Sequence, residues 1–146
     1  MIAPATPWAR ARLAALAALC ACLSLSSCTD PVPVHVTAVD GHTIRVTMSE
    51  RRFSVYEVDA RVGQTVAFEF KNQSGVGHEA FIGTEDEQRR HAANRAAHAD
   101  AARTVEVGSD DLGHLSYTFA APGDYVVGCH VAAHYQDGMK FVVHVT

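Results

Sequence analysis

From about residue 34 onward, apolar and polar residues alternate along the chain. In TIRVTMS, Ile44, Val46 and Met48 fall on one face; in TVAFEFK, Val66, Phe68 and Phe70 do the same; in HLSYTF, Leu115, Tyr117 and Phe119 line up. A period of two puts such residues on one side of a pleated backbone, the mark of a half-buried strand. VHVTAV, FSVYEV, HEAFIG, YVVGC and KFVVHV bring the set to about eight, with turn signals such as Asp40-Gly41 and Pro122-Gly123-Asp124 between them. Many short, regularly spaced strands in one small unit predict an all-β, Greek-key β-sandwich over 35–146.

Two segments depart from this rhythm. TEDEQRRHAANRAAHADAAR, Thr84 to Arg103, is alanine-rich and charged, without proline or glycine. Thr84 followed by Glu87 has the spacing of a capping box. The segment has almost no large apolar residue, so it reads as a surface helix inserted between strands, near 84–103. The second departure is N-terminal. Arg10 and Arg12 precede an apolar run from Leu13 to Leu25 and then small residues. That order is a secretory signal peptide, and the run is shorter than the ~20 apolar residues a membrane span requires. The two arginines are not adjacent, which argues against a twin-arginine signal.

The end of this run, LSSC, resembles the lipobox of bacterial lipoproteins. The resemblance implies a signal peptide over 1–27, cleavage before Cys28, lipid on the Cys28 sulfur, and a spacer over 28–34. Two or three acyl chains suffice for stable anchoring where one is marginal. The expected location is therefore extracytoplasmic, on a bacterial membrane, facing the periplasm or the cell surface.

This processing changes the cysteine count. Cys20 and Cys22 leave with the signal, Cys28 carries lipid, and Cys129 remains alone. An odd cysteine in an exported protein is a free thiol, an intermolecular link or a metal ligand; as a buried small hydrophobe it would be inert. Charge changes less. The mature part keeps all 16 acidic residues and loses two of the 12 basic ones, leaving ten against 16, a charge of −6. Nucleic acid is not an expected partner for such a chain.

The closing stretch GCHVAAHYQDGMKFVVHVT carries the chemistry. Cys129, His134 and Met139 lie on one loop between two apolar runs, each separated from the next by four residues. Thiolate, imidazole and thioether are soft or borderline ligands, and a second imidazole would complete the His₂Cys site with a weak axial Met of blue copper centres. His78, which follows a glycine-bearing loop in NQSGVGHEAFIG, is the candidate. Taken singly, His134 as a loop histidine and Met139 as a core residue are ordinary; together with the sole mature cysteine they form a set.

Here the chain resembles the cupredoxins, bacterial plastocyanin- and azurin-like type 1 copper proteins, from about Phe53 to Val145. Phe53, Val58, Gly63, Gln64, Thr65, Val66, Phe68 and Asn72 match one part of their pattern. His78 matches the glycine-adjacent histidine; Pro122, Gly123, Tyr125, Cys129, His134, Gly138 and Met139 match the closing motif. The resemblance implies one type 1 copper ion held by His78, Cys129, His134 and Met139, with the Gly77 carbonyl as a weak axial contact. It also implies a hydrogen bond from the Glu79 N–H to the Cys129 sulfur, and electron exchange through the edge of His134. Ala132-Ala133 stand where many relatives have Pro-Gly, and the helical insert is absent from minimal plastocyanins.

The expected function is that of a monomeric, membrane-anchored carrier of single electrons with a redox protein partner and no enzymatic activity of its own. The alternative is a copper-binding or copper-tolerance protein that sequesters or delivers the metal, working with a copper-handling protein. A dinuclear copper centre needs a second bridging cysteine where Ala133 stands. Structural zinc disfavours methionine, and no third residue orients a Cys129–His134 nucleophile. His91 and His98, seven apart in the insert, read as solvated residues on a polar helix, with auxiliary metal binding the sharper alternative. His130 is expected to face away from the copper, and His35, His42, His114 and His144 read as surface or strand histidines. Glu85, Asp86, Glu87, Asp110 and Asp111 are a candidate docking patch for a basic partner, with an ordinary solvated acidic surface as the default.

Overall fold

The computed structural model describes residues 32–95 and 100–146. The signal peptide, Cys28 with most of its spacer, and His98 lie outside the described residues. Among these residues, ten strands form two sheets. One has the order β1 (Val34–Thr37), β4 (Val55–Ala60), β10 (Lys140–Val145), β9 (Gly123–Gly128), β6 (His78–Gly83), β7 (Thr104–Val107). The other has the order β3 (Arg52–Phe53), β2 (Thr43–Ser49), β5 (Thr65–Asn72), β8 (Leu112–Thr118). The β1–β4, β4–β10 and β2–β5 pairs are parallel and the rest antiparallel. This is the expected cupredoxin-like sandwich.

The alternating residues do what their period predicts. Val46, Met48, Phe68 and Phe70 of the four-stranded sheet are buried against Val58, Val127, Phe141 and Val143 of the six-stranded one. Phe53 meets Phe141 edge to face, 5.4 Å between ring centres, a geometry favoured by the ring quadrupoles.

The structure departs from the pattern in two places. The run read as one strand from Phe53 to Val58 is two: Phe53 ends β3 in one sheet and Val55 begins β4 in the other. Ser54 makes the corner. Its N–H donates to the Thr47 carbonyl, its Oγ accepts from the Thr47 N–H, and its carbonyl accepts from the Val34 N–H, each at 2.9 Å. Both flanking residues stay buried while the chain changes sheets, so period-two alternation does not reveal the break. The other departure is β7, a strand the alternation does not mark, which directly follows the insert and pairs with β6.

The helix itself, α1, is shorter than the insert and spans Glu85–Ala93. The Thr84–Glu87 capping box is formed in both directions. Most of the helix is exposed, as expected of a surface helix, but one polar stripe is not. Gln88 and His91 are fully buried against the outer face of β6 and β9, and the His91 ring stacks on Phe81, 4.0 Å between centres and 4° from parallel. The reading of His91 as a solvated residue is therefore corrected. The buried face of α1 is polar, and hydrophobic patterning has no signal for such a face.

Strand β6 is covered on both sides, and all six of its residues are buried. Ala80 and Ile82 join the core between the sheets, while Phe81 meets α1. The arrangement aims His78 at one end of the sandwich.

Candidate metal centre

The four predicted ligands come from two places in the chain. His78 opens β6, Cys129 follows β9, and His134 and Met139 lie on the loop that leads into β10. Antiparallel pairing of β6 with β9, in the register Phe81 to Gly128, brings the start of one strand beside the end of the other. Gly128 is needed at this junction: a Cβ there would lie 2.5 Å from the Tyr135 ring and 2.9 Å from the Gln88 Oε1.

The loop is tied by its own backbone. The Cys129 N–H donates to the Met139 carbonyl at 3.1 Å, the Met139 N–H to the His134 carbonyl at 2.8 Å, and the His134 N–H to the Val131 carbonyl at 3.1 Å. Three predicted ligands are thus linked by consecutive hydrogen bonds. Ala132 takes a φ of 48° within this loop, a left-handed conformation costly for a residue with a Cβ.

The donor atoms converge. Cys129 Sγ lies 3.7 Å from His78 Nδ1 and 3.6 Å from His134 Nδ1. The two imidazoles are 5.0 Å apart at their centres and tilted by 46°. Among the described residues, His78, Cys129 and His134 are the group of potential ligands close enough to share a metal. Bonds of about 2.3 Å to sulfur and about 2.0 Å to nitrogen, with ligand–metal–ligand angles between tetrahedral and trigonal, require S···N distances of about 3.5–3.7 Å. The observed separations meet that requirement, and the donor set has the softness suited to copper. Met139 is fully buried beside them.

His78 is aimed from behind. Its Nε2 is 2.8 Å from Ser74 Oγ, leaving Nδ1 to face the sulfur. Ser74 in turn donates its N–H and its hydroxyl to Asn72 Oδ1, each at 2.9 Å. The Asn72 amide nitrogen reaches the carbonyls of Val76, Val107 and Gly108. A hydrogen bond on the remote nitrogen fixes the tautomer and orientation of a ligating histidine; here the residues that do so are Ser74 and Asn72. Sequence reasoning missed Ser74 and marked Asn72 only as part of a pattern.

Burial governs the electrostatics. It pushes the Cys129 thiol up, an effect partly opposed by the backbone N–H groups of Glu79 and Val131. The expected Glu79 N–H bond to the sulfur is present at 3.4 Å. Burial, with the neighbouring His134, draws the pKa of His78 below its ordinary value. A neutral imidazole is the ligand form, and metal uptake at Cys129 must release its proton. His134, at 8% exposure, is the most accessible of the four; His78 is at 2%, and Cys129 and Met139 are at 0%.

The residues beside the centre are engaged in other ways. His130 faces away from it: its ring stacks on Tyr135 at 4.4 Å and its Nε2 lies 2.7 Å from Gln88 Oε1. Of the acidic residues considered for docking, Glu85 accepts from the Tyr135 hydroxyl, Asp86 pairs with Arg89, and Glu87 holds the helix cap and Arg103. No helix among the described residues is long and apolar enough to cross a membrane.

No protein-family model matches the chain. The copper-resistant cuproprotein CopI of Rubrivivax gelatinosus is 31% identical over 103 residues, which cover 66% of this chain and 62% of CopI. The chain thus spans less than two thirds of that relative's length. Reduced auracyanin from Roseiflexus castenholzii superposes with a TM-score of 0.64 at 27% identity, over 74% of this chain and 99% of the auracyanin. Auracyanin A, a "blue" copper protein from Chloroflexus aurantiacus, gives 0.59 at 28% identity, over 72% and 98%.

Proposed function

The chain is a cupredoxin whose buried His-Cys-His-Met group is compatible with a type 1 copper centre, and we propose that it carries single electrons outside the cytoplasm from a lipid anchor at Cys28. The observation that carries this reading is the convergence of His78 Nδ1, Cys129 Sγ and His134 Nδ1 at the S···N separations of 3.7 and 3.6 Å. His78, Cys129 and His134 would hold one copper ion, with Met139 as a further ligand; the Gly77 carbonyl is a weaker candidate. Copper supplies a one-electron Cu(II)/Cu(I) couple when bound.

The chain's own part is to hold the ligands still. Asn72 and Ser74 orient His78, and the loop hydrogen bonds tie Cys129, His134 and Met139 together. The Glu79 N–H supports negative charge on the sulfur. The core excludes water from Cys129 and Met139, and the residual exposure of His134 makes its edge the point of contact for a redox protein partner. This reading gives the chain no reaction of its own and requires no second subunit.

The similarity to CopI favours a second reading, a protein that sequesters or delivers copper in concert with a copper-handling partner. His91 gives it little support, since it is buried with its Nε2 on Glu79, and His98 lies outside the described residues. One titration separates the two. Cu(II) added to the purified protein should give an intense thiolate-to-copper visible band that saturates at one copper. The band should bleach reversibly on reduction and be absent from Cys129→Ser. Copper uptake with no such band would refute the electron carrier and leave copper handling.

A further inference from the structure

Behind Cys129, on the helix-facing side of the sheet, lies a buried polar cluster outside the predicted ligand set. Its centre is Glu79, at 2% exposure. One carboxylate oxygen, Oε1, is 3.0 Å from His91 Nε2 and 3.4 Å from the Arg95 guanidinium. The other, Oε2, accepts from the His130 backbone N–H at 3.2 Å. The same residue's own N–H donates to the Cys129 sulfur. Around it, Gln88 bridges the His130 ring to the carbonyls of Phe81 and Val126, and His91 Nδ1 is buried with no partner among the described residues.

Stability is a poor explanation for this cluster. A buried carboxylate loses several kcal/mol of hydration, and well-packed apolar side chains often serve as well in its place. A buried imidazole nitrogen without a partner adds a further cost. The geometry offers another role. Continuing the β6–β9 register from Phe81 opposite Gly128 places Glu79 opposite His130. The carboxylate therefore grips the residue after Cys129, while the Glu79 main chain grips the sulfur itself.

We propose that Glu79 is a positioning residue for the metal centre. Held by His91 and Arg95 from the helical insert, it fixes the Cys129–His130 backbone, maintains the N–H bond to the sulfur, and sets a negative charge behind the thiolate. The inference rests on the copper reading above. It also gives the insert a role, because α1 and the residues just after it deliver the groups that hold this charge in place.

The sign of the effect follows. A nearby negative charge favours the more positive, oxidised state, and a nearby positive charge the reduced one. Glu79→Gln keeps the side-chain shape and removes the charge, so it should favour reduction by about tenfold, equivalent to about +59 mV for one electron. Arg95→Met should move the potential the other way by a smaller factor, since Arg95 is partly exposed. Glu79→Gln should also shift the thiolate-to-copper band.

The experiment measures potential and visible spectrum for copper-loaded wild type, Glu79→Gln, Arg95→Met and His91→Gln. In parallel, it measures the alkylation rate of Cys129 in the copper-free proteins. Val46→Ala, a cavity in the opposite sheet, controls for general destabilisation. Opposite potential shifts for Glu79→Gln and Arg95→Met, with faster alkylation in Glu79→Gln than in Val46→Ala, support the proposal. Unchanged potentials, or shifts of the same sign, overturn it even if stability falls. If Glu79→Gln does not fold, Arg95→Met and His91→Gln decide by the same comparison with wild type. If wild type forms no copper band, the electron-carrier reading fails; alkylation no faster than in Val46→Ala then overturns the positioning role as well, and faster alkylation sustains it.

Discussion

Replacing Asn72 with alanine would remove the support beneath His78, and the structure sets the size of the effect. Asn72 is fully buried. Its Oδ1 is the acceptor for the Ser74 N–H and shares the Ser74 hydroxyl; its amide nitrogen serves the carbonyls of Val76, Val107 and Gly108. The variant leaves the buried Ser74 N–H without this acceptor, a loss of about 1–3 kcal/mol. Without Asn72 the Ser74 hydroxyl can donate to the Val76 carbonyl instead, and the Gly108 carbonyl keeps the Asp111 N–H. Losing the amide there should therefore cost only about 1 kcal/mol per bond. The expected total is about 3–5 kcal/mol, a large share of the stability of a small domain. Urea unfolding of the copper-free protein measures it, and the variant should also bind copper more weakly because Ser74 no longer holds the His78 ring in place. A midpoint that leaves stability within about 0.5 kcal/mol of wild type, the range of an ordinary surface change, would refute the claim that this network supports the loop.

Two further predictions concern strain and charge. Ala132→Gly relieves the left-handed backbone at φ 48°; it should stabilise the copper-free protein by up to about 1 kcal/mol, after the greater freedom of glycine in the unfolded chain is subtracted, as read by chemical denaturation. The His144 pKa lies above its ordinary value of 6.5, chiefly through its hydrogen bond to Asp124 at 2.8 Å. A raised folded-state pKa gives stability that is fully present below the unfolded value and is lost as pH rises through the folded one. His144→Gln should therefore lower stability on the acidic side and flatten its decline through that window. The test is urea unfolding of both proteins from about pH 5 to about pH 9; parallel curves would show that the exposed pair contributes nothing.

Several features were legible without the fold because they are local. Period-two alternation marks Ile44, Val46 and Met48, or Val66, Phe68 and Phe70, as one face of a strand whatever that strand pairs with. The Thr84–Glu87 cap depends on four consecutive residues. The candidate ligand group was legible because thiolate and imidazole donors stand in an order that resembles a known family, and His78, Cys129 and His134 do converge. The sheet change at Ser54 was hidden, since Phe53 and Val55 are both buried on either side of the corner and leave the alternation intact. Strand β7 was hidden because its one deeply buried residue, Val107, is too little for a period.

Residue chemistry and short-range pattern thus determined that this chain would form a sandwich and which side chains had the means to hold copper. Only the tertiary structure decided how they meet. His78 and Cys129 are 51 residues apart, and it is the β6–β9 register that places Nδ1 against the sulfur. It also decided the fate of Glu79, His91 and His130, polar residues that hydrophobic patterning does not mark for burial. They are buried because α1 lies across β6 and β9, where each finds a hydrogen-bond partner that replaces water. Burial of a polar side chain depends on partners supplied by distant segments, and no local pattern records them.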